Sequence, residues 1–362
     1  MNIKNIIDDA VYDSLNSEPS ELVSLIKKGE SSFYVIGKNA QSSEIIKNFN
    51  PIGLIDDYSN SEKNWNGTPI VKLKDVHKSS IVINCSTSIS PILVRNNLLA
   101  AGLDKIISVS ELISRKVNLL SEPWFVSQQH KELAQYSSYW SDIYQILSDE
   151  ISKQTLLDVL RFRLTADCKY MNNYSVRLRE QYFENFMQYE NEYFVDAGGY
   201  DGDTTEEFVL RYPDYKKIYF FEPSIKNLSA ARAKLIGRRD IHFSAMGLSN
   251  RRGMLNFNSD AGSASAITED SMESIHVDSL DTLLHNQPVS FIKMDLEGWE
   301  INALHGAKEI IKKYKPKLAV AVYHEAKDIR EIPGFILSLN SDYKVYLRHY
   351  TQGWSETVMY FK

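Results

Sequence analysis

The sequence predicts an α/β protein with two doubly wound, mostly parallel sheets joined by a helical stretch. Three observations predict it. Strand-like and helix-like segments alternate from Phe33 to about residue 118, and the alternation resumes at Tyr193. Between them, apolar residues recur every three or four positions. Such alternation marks parallel strands whose crossovers are helices packed on the sheet faces. With 362 residues, 43% of them hydrophobic, the chain is long enough to bury two cores.

Residues 1–30 read as a helical lead-in, with Ile3, Ile6, Ile7, Leu22 and Leu25 loosely on one face. Residues 31–118 read as a smaller Rossmann-like α/β domain. Its expected elements are a strand at 33–36, a turn at Gly37 and a helix at 42–48. A strand at 52–55 ending in Asp56 and Asp57 follows, then a strand within 79–86, a helix at 89–101 and a closing apolar run "DKIISVSEL". Residues 119–190 read as a helical connector, from the spacing of Leu133, Tyr136, Trp140, Ile143, Leu147 and Ile151. Arg161 and Arg163 there suit helix-surface ion pairs, or a grip on the phosphate of a carrier-linked sugar. Tyr170, Tyr174 and Tyr182 suit packing, or stacking on a sugar ring. Residues 191–362 form the second α/β domain: strands at 193–195, 216–224, in "DIHFSAMGLS", at 288–298 and in "KPKLAVAVYH", with helices between and one helix over 299–314. The end, "DYKVYLRHYTQGWSETVMYFK", alternates and turns once near Gly353, an antiparallel hairpin at the sheet edge.

Composition narrows the partners. The net charge is -6 and no basic stripe is visible, which argues against nucleic acid. Two cysteines, Cys85 and Cys168, lie far apart, so neither a disulfide framework nor a zinc motif is expected. No stretch approaches the roughly 18 apolar residues of a membrane span. The reading is a cytoplasmic protein without a span.

The chemistry concentrates in "YFVDAGGYDGDTTEEF". In a doubly wound sheet the loop after such a strand faces the ligand crevice. Gly198, Gly199 and Gly202 permit positive φ and close backbone approach. A dinucleotide loop would instead present glycine-spaced N–H groups to a pyrophosphate. Here Asp196, Asp201 and Asp203 would repel one, and they suit a ligand with positive charge. The next strand ends in Glu222, where an acid commonly accepts both ribose hydroxyls. A nucleoside with a cationic, phosphate-free tail fits both features, and S-adenosylmethionine is such a molecule. The alternative is a solvated acidic turn beside an unrelated acid.

The segments "FVDAGGYDGDT", "YFFEPS", "LDTLL", "FIKMDLEGWEINALHGAKEII", "PKLAVAVYH" and "YLRHYTQGWSETVMYF" together resemble the FkbM family of S-adenosylmethionine-dependent O-methyltransferases. The resemblance covers roughly residues 181–362, and more loosely "LRFRLTADCKY" upstream. It implies a class I methyltransferase fold with a seven-stranded, mostly parallel sheet. It also implies a methylated hydroxyl on a sugar, polyketide or other natural product. Carried over, Asp196, Gly198, Tyr200, Asp201, Gly202, Asp203 and Thr204 match the cofactor loop, and Glu222, Pro223 and Ser224 the ribose acid. Ala245 and Met246 match the place where an adenine stacks. The first half is similar to small Rossmann-type domains found ahead of some sugar-modifying enzymes. It departs from a dinucleotide site, because Gly37-Lys38-Asn39-Ala40 lacks the second and third glycines. Assembly into homo-oligomers is favoured there over binding a nucleotide-sugar-like ligand.

Methyl transfer from a sulfonium needs alignment, and a hydroxyl acceptor needs its proton removed. His324 is the expected base, since an unperturbed imidazole titrates near working pH. Asp295 and Glu297 are expected to orient the acceptor or hold a divalent cation; a metal is otherwise left open. Against these stand plainer readings: Glu297 at a helix start, His324 capping a strand, and Lys293 paired with a carboxylate. The expected function is O-methylation of a sugar or glycan hydroxyl, on a free or carrier-linked acceptor, in surface polysaccharide or glycolipid synthesis. The alternatives are a polyketide or small natural product as acceptor, a nicotinamide-dependent enzyme, or a nucleotide-binding module without catalysis.

Overall fold

The computed structural model describes residues 5, 7–9, 11–12, 21–29, 32–114, 120–258, 266–267 and 274–362. Ile3 and Ile6 of the expected lead-in lie outside them. By internal contacts the chain divides into two compact units. One comprises Met1–Ser141, Gln154–Val176 and His349–Ser355; the other comprises Asp142–Lys153, Arg177–Arg348 and Glu356–Lys362. The helical residues between the two alternating series are shared between the units.

In the first unit six strands, β1 (Phe33–Ile36), β2 (Gly53–Ile55), β3 (Asn64–Trp65), β4 (Thr68–Val71), β5 (Ile81–Asn84) and β6 (Ile106–Ser108), form one sheet in the order β3-β4-β2-β1-β5-β6. All its pairings are parallel except the β3–β4 hairpin, which the sequence reading did not include. Val35, Leu54, Ile83 and Ile107 are buried at the centre, as continuous apolar runs in a sheet covered on both faces require. The run "DKIISVSEL" is a strand only to Ser108 and then becomes the helix Val109–Ser114. On the lead-in helix Glu21–Lys27 the buried residues are Val23 and Ile26, in place of Leu22 and Leu25. Arg161 makes the expected helix ion pair, with Asp158 at 3.7 Å. Arg163, expected at the helix surface, is wholly buried and donates to the Trp354 carbonyl.

Three helices, Trp124–Tyr136, Tyr139–Ile146 and Glu150–Thr165, account for the period read between the series. Beyond Thr165 the expected helix gives way to 3₁₀ turns at Cys168–Met171, Leu178–Glu180 and Asn185–Met187. Ala166, Tyr182 and Gln188 take positive φ there, which an α-helix does not accommodate.

The second unit is built on β7 (Tyr193–Ala197), β8 (Lys217–Phe221) and β9 (Ile241–Ser244). A small sheet follows: β10 (Gly247–Leu248), β11 (Gly253–Asn258), β12 (Ala266–Ile267) and β13 (Ser274–Asp278), in the order β10-β13-β11-β12. The chain then returns through β14 (Phe291–Met294), β15 (Lys317–Ala321), β16 (Val345–His349) and β17 (Thr357–Phe361). The main sheet has seven strands in the order β16-β17-β15-β14-β7-β8-β9. β17 pairs antiparallel to β15, so the second strand of the final hairpin lies inside the sheet and only the first is at its edge. The strand order reverses between β7 and β14, which places a crevice at their carboxyl ends. The helix expected over 299–314 breaks into Glu300–His305 and Lys308–Tyr314. Gly306 sits at the break, where a Cβ would come within 2.0 Å of the Ser249 carbonyl oxygen.

Candidate active site

The loop from Gly198 to Thr204 leaves β7 and enters the helix Asp203–Arg211. Its glycines are required by the protein's own chain. A Cβ on Gly198 would lie 1.9 Å from the Asp295 carbonyl oxygen, and Gly198 has φ +79°. A Cβ on Gly199 would lie 2.2 Å from the Phe220 ring. Most of the loop's N–H groups are also spent internally. Those of Gly198 and Gly199 go to the Phe221 carbonyl, and that of Gly202 goes to the Gly199 carbonyl. Asp203 N–H donates to Asp201 Oδ1, and Thr204 N–H to Asp203 Oδ1. A phosphate would find these donors occupied, whereas a dinucleotide loop leaves them open.

The acids of the loop divide their roles. Asp196 is fully buried. Its Oδ2 accepts from Thr205 Oγ1 at 2.6 Å, and Lys293 Nζ stands 3.2 Å from its Oδ1. Asp196 and Lys293 are in-register neighbours on adjacent parallel strands. Lys293 also donates to the Gly198 carbonyl at 2.7 Å. Burial lowers the lysine pKa, but Asp196, then Asp295, outweigh it and hold it above its ordinary value. Asp196, expected from the sequence to face the ligand with Asp201 and Asp203, therefore lies behind the loop and fixes its shape. Asp201 pairs with Lys234 at 2.7 Å, and Asp203 is exposed in the helix's first turn.

Glu222 lies one residue past β8 and is 5% exposed. Its Oε2 accepts from Tyr200 N–H at 3.0 Å, and its Oε1 from Ser224 N–H at 2.8 Å. Tyr200 takes φ 48°, the left-handed conformation that aims its N–H at the acid. Burial raises the Glu222 pKa, and the two backbone donors oppose that rise. Each carboxylate oxygen keeps a lone pair for a further donor. Pro223 and Ser224 continue this turn, Ser224 capping the helix Ile225–Lys234. Ala245 and Met246 follow β9, exposed and half-buried respectively.

Past β14 and β15 the structure brings together Asp295, Glu297 and His324. His324 Nε2 stands 3.5 Å from Asp295 Oδ1 and 3.3 Å from Glu297 Oε2. Its Nδ1 is 3.1 Å from Glu300 Oε1. Burial lowers the imidazole pKa, yet Glu300, Glu297 and Asp295 together hold it well above its ordinary value. The expectation had taken His324 at its ordinary imidazole value, and these three carboxylates set it apart from that. Burial raises the Glu297 pKa, and the His324 hydrogen bond opposes that rise.

Sequence reasoning missed several members of this cluster. Tyr182 OH donates to Asp295 Oδ2 at 2.7 Å, and Tyr323 OH to Asp295 Oδ1 at 3.3 Å. Glu300 is buried, its Oε1 accepting from Leu296 N–H at 2.6 Å. Glu356 accepts from Gln181 at 2.7 Å, and burial, then Asp295, push its pKa to about 7. Burial, then Glu300, do the same for Asp328. Tyr182, Glu297 and Glu356 all have positive φ, and such strain gathers where side chains must be aimed. The signal in the sequence was the extra acid of "DLEGWE", which also reads as a helix start.

Residues 196–345 match the family model described as the Methyltransferase FkbM domain. The chain carries an FkbM methyltransferase domain. Over the whole chain the fold is similar to the crystal structure of Methyltransferase FkbM from Methylobacillus flagellatus KT. The TM-score is 0.75 at 20% identity, covering 99% of this chain and 98% of that one. Weaker similarity reaches an rRNA methylase from Streptococcus thermophilus, with TM-score 0.32, 16% identity, and 48% and 87% of the chains covered. It also reaches fibrillarin from Aeropyrum pernix in complex with S-adenosyl-L-methionine, with TM-score 0.33, 11% identity, and 51% and 71% covered. No match is found among curated proteins. The FkbM domain spans the Gly198–Thr204 loop, Glu222, Asp295, Glu297 and His324, and the protein is a methyltransferase; Tyr182 and Glu356 of the cluster lie outside the matched residues.

Among the described residues, no helix is long and apolar enough to cross a membrane.

Proposed function

We propose that this methyltransferase binds S-adenosylmethionine at the carboxyl ends of β7 and β8 and methylates a hydroxyl of a sugar or glycan, free or carrier-linked. The observation that carries the reading is Glu222. A buried carboxylate, steered by two backbone N–H groups, stands beside a loop most of whose own N–H groups are occupied. That combination suits a ribose diol joined to a cationic tail and disfavours a pyrophosphate. When bound, the cofactor supplies an electrophilic methyl group. The chain's residues do the rest. Asp196 and Lys293 hold the loop, Glu222 takes the ribose hydroxyls, and Asp203 faces solvent where a cationic tail can meet it. Asp295 and Glu297 accept from the acceptor hydroxyl and one of them receives its proton, with His324 beside them to orient the pair. Carboxylates and tyrosine hydroxyls around this crevice match the many donors and acceptors of a polyhydroxyl acceptor.

A nicotinamide site in the first unit is disfavoured by a specific contact. Asp56, at the end of β2, is held by Lys38 at 2.7 Å, so the acid that would take a ribose is already paired. Thermal denaturation with S-adenosylmethionine, S-adenosylhomocysteine, NAD and NADP in turn tests the choice. Stabilisation by the adenosyl compounds is expected, and stabilisation by the dinucleotides alone would sink the proposal. Labelled methyl transfer to a panel of sugars, glycans and polyketides then identifies the acceptor. Transfer to polyketides alone would overturn the sugar assignment.

A further inference from the structure

We propose that Asp295, Glu297 and His324 form a binding site for a divalent transition-metal cation. The proposal rests on the methyl-transfer reading for the cation's use, and on geometry for its place. One ligand atom from each of the three residues lies within 4.8 Å of the other two. Two ligands bound about 2.1 Å from one cation stand about 3.0–3.4 Å apart at octahedral or tetrahedral angles. His324 Nε2 stands 3.5 Å from Asp295 Oδ1 and 3.3 Å from Glu297 Oε2, which matches that spacing.

A second observation points to a ligand. The His324 side chain is 8% exposed, and neither ring nitrogen makes a hydrogen bond of proper geometry. Behind the ring, Glu300 Oε1 stands 3.1 Å from Nδ1 and is itself fixed by Leu296 N–H at 2.6 Å. A carboxylate behind one ring nitrogen is the arrangement that sets the tautomer and aims the other nitrogen at a metal. The loop is shaped for the same end. Glu297 has φ 52° and Gly298 φ 94°, turning the Glu297 carboxylate toward the imidazole. Tyr182 holds the far oxygen of Asp295. The neighbouring group Glu300, His324 and Asp328 also has suitable spacing. There Asp328 Oδ2 accepts from Glu325 N–H at 2.7 Å and Glu300 Oε1 from Leu296 N–H, so this group serves as the support.

One imidazole and two carboxylates suit Mn²⁺, Fe²⁺ or Zn²⁺ better than Ca²⁺. Three protein ligands leave positions open for an acceptor hydroxyl, whose proton a bound cation makes easier to remove.

The test uses the full chain freed of metal with EDTA. Mn²⁺ is titrated in and the free ion followed by its electron paramagnetic resonance signal, with Zn²⁺ as competitor. Uptake of a single Mn²⁺ per chain, displaced by Zn²⁺, is expected. Asp295→Asn and Glu297→Gln should each weaken uptake at least tenfold, and Glu300→Gln by about 10–100-fold as a positioning change. S-adenosylhomocysteine binding in EDTA, measured by calorimetry, checks that each variant is folded. Where Glu297→Gln fails that check, Glu297→Asp replaces it, with the same expected loss. No uptake by the wild type overturns the proposal, and so does uptake unchanged in both ligand variants. Mn²⁺ uptake without S-adenosylhomocysteine binding would keep the cation site and reject the methyl-transfer reading; the reverse would do the opposite.

Discussion

Replacing Lys293 by methionine should leave Asp196 as a buried, uncompensated charge. Lys293 is 3% exposed and Asp196 fully buried, and their charged atoms are 3.2 Å apart. At an effective dielectric of about 20, attraction at that distance is about 5 kcal/mol. Removing one partner of a buried pair typically costs about 3–5 kcal/mol, because the survivor keeps its desolvation penalty. The Gly198 carbonyl also loses its donor, which frees the loop the cofactor would use. Lys293→Met should therefore lower stability by about 3–5 kcal/mol, or roughly 6–20 °C in Tm for a unit of about 200 residues. The double variant Asp196→Leu, Lys293→Met removes both charges and should recover much of the loss. Urea denaturation of the wild type, both single variants and the double variant supplies the cycle. A cost below about 1 kcal/mol for Lys293→Met, or a double variant no better than the single, would refute the assignment of this pair as the loop's anchor.

The other predictions concern the same unit. Gly198→Ala must place a Cβ 1.9 Å from a carbonyl oxygen at φ +79°, so a loss above about 2 kcal/mol with loss of S-adenosylhomocysteine binding is expected by denaturation and calorimetry. Gly202→Ala, whose Cβ would meet Ala231 at 3.1 Å, should cost less. Tyr182→Phe removes the donor to Asp295 and should lower kcat while leaving cofactor affinity unchanged; an unchanged kcat would clear Tyr182 of any part in the site. Burial raises the Asp149 pKa, but the hydrogen bonds from Arg348 and Ser152 together outweigh it and hold the group below its usual value. That contribution is present above the unfolded carboxylate value, near pH 4, and is lost as pH falls through the folded one. The stability gap between wild type and Arg348→Met should thus shrink below about pH 4.

Much of the architecture was legible because strand and helix periods alternate cleanly. The runs "YFVDA" and "FIKMD" could be only buried parallel strands, and they are. The hairpin's placement was not legible, since nothing in "TVMYF" says which neighbour it pairs with; full burial of β17 is the physical reason it lies inside the sheet. The break at Gly306 was hidden because its cause, the Ser249 carbonyl, is distant in sequence. At the site, the glycines were read as making room for a ligand, whereas they make room for Asp295 and Phe220. Asp196 was read as facing the ligand, but a lysine two strand residues before Asp295 turned out to be its partner. His324 was chosen for its ordinary pKa, and Glu300, the first of the carboxylates that raise it, sits on the helix Glu300–His305, whose packing the sequence does not declare.

Isothermal titration of S-adenosylhomocysteine into the wild type and into Glu222→Ala tests the central claim most directly. Binding of a single molecule per chain is predicted for the wild type, with affinity reduced at least about tenfold in the variant, as expected when hydrogen bonds to a charged acceptor are lost. Absence of binding to the wild type, or equal affinity in Glu222→Ala, would contradict the account.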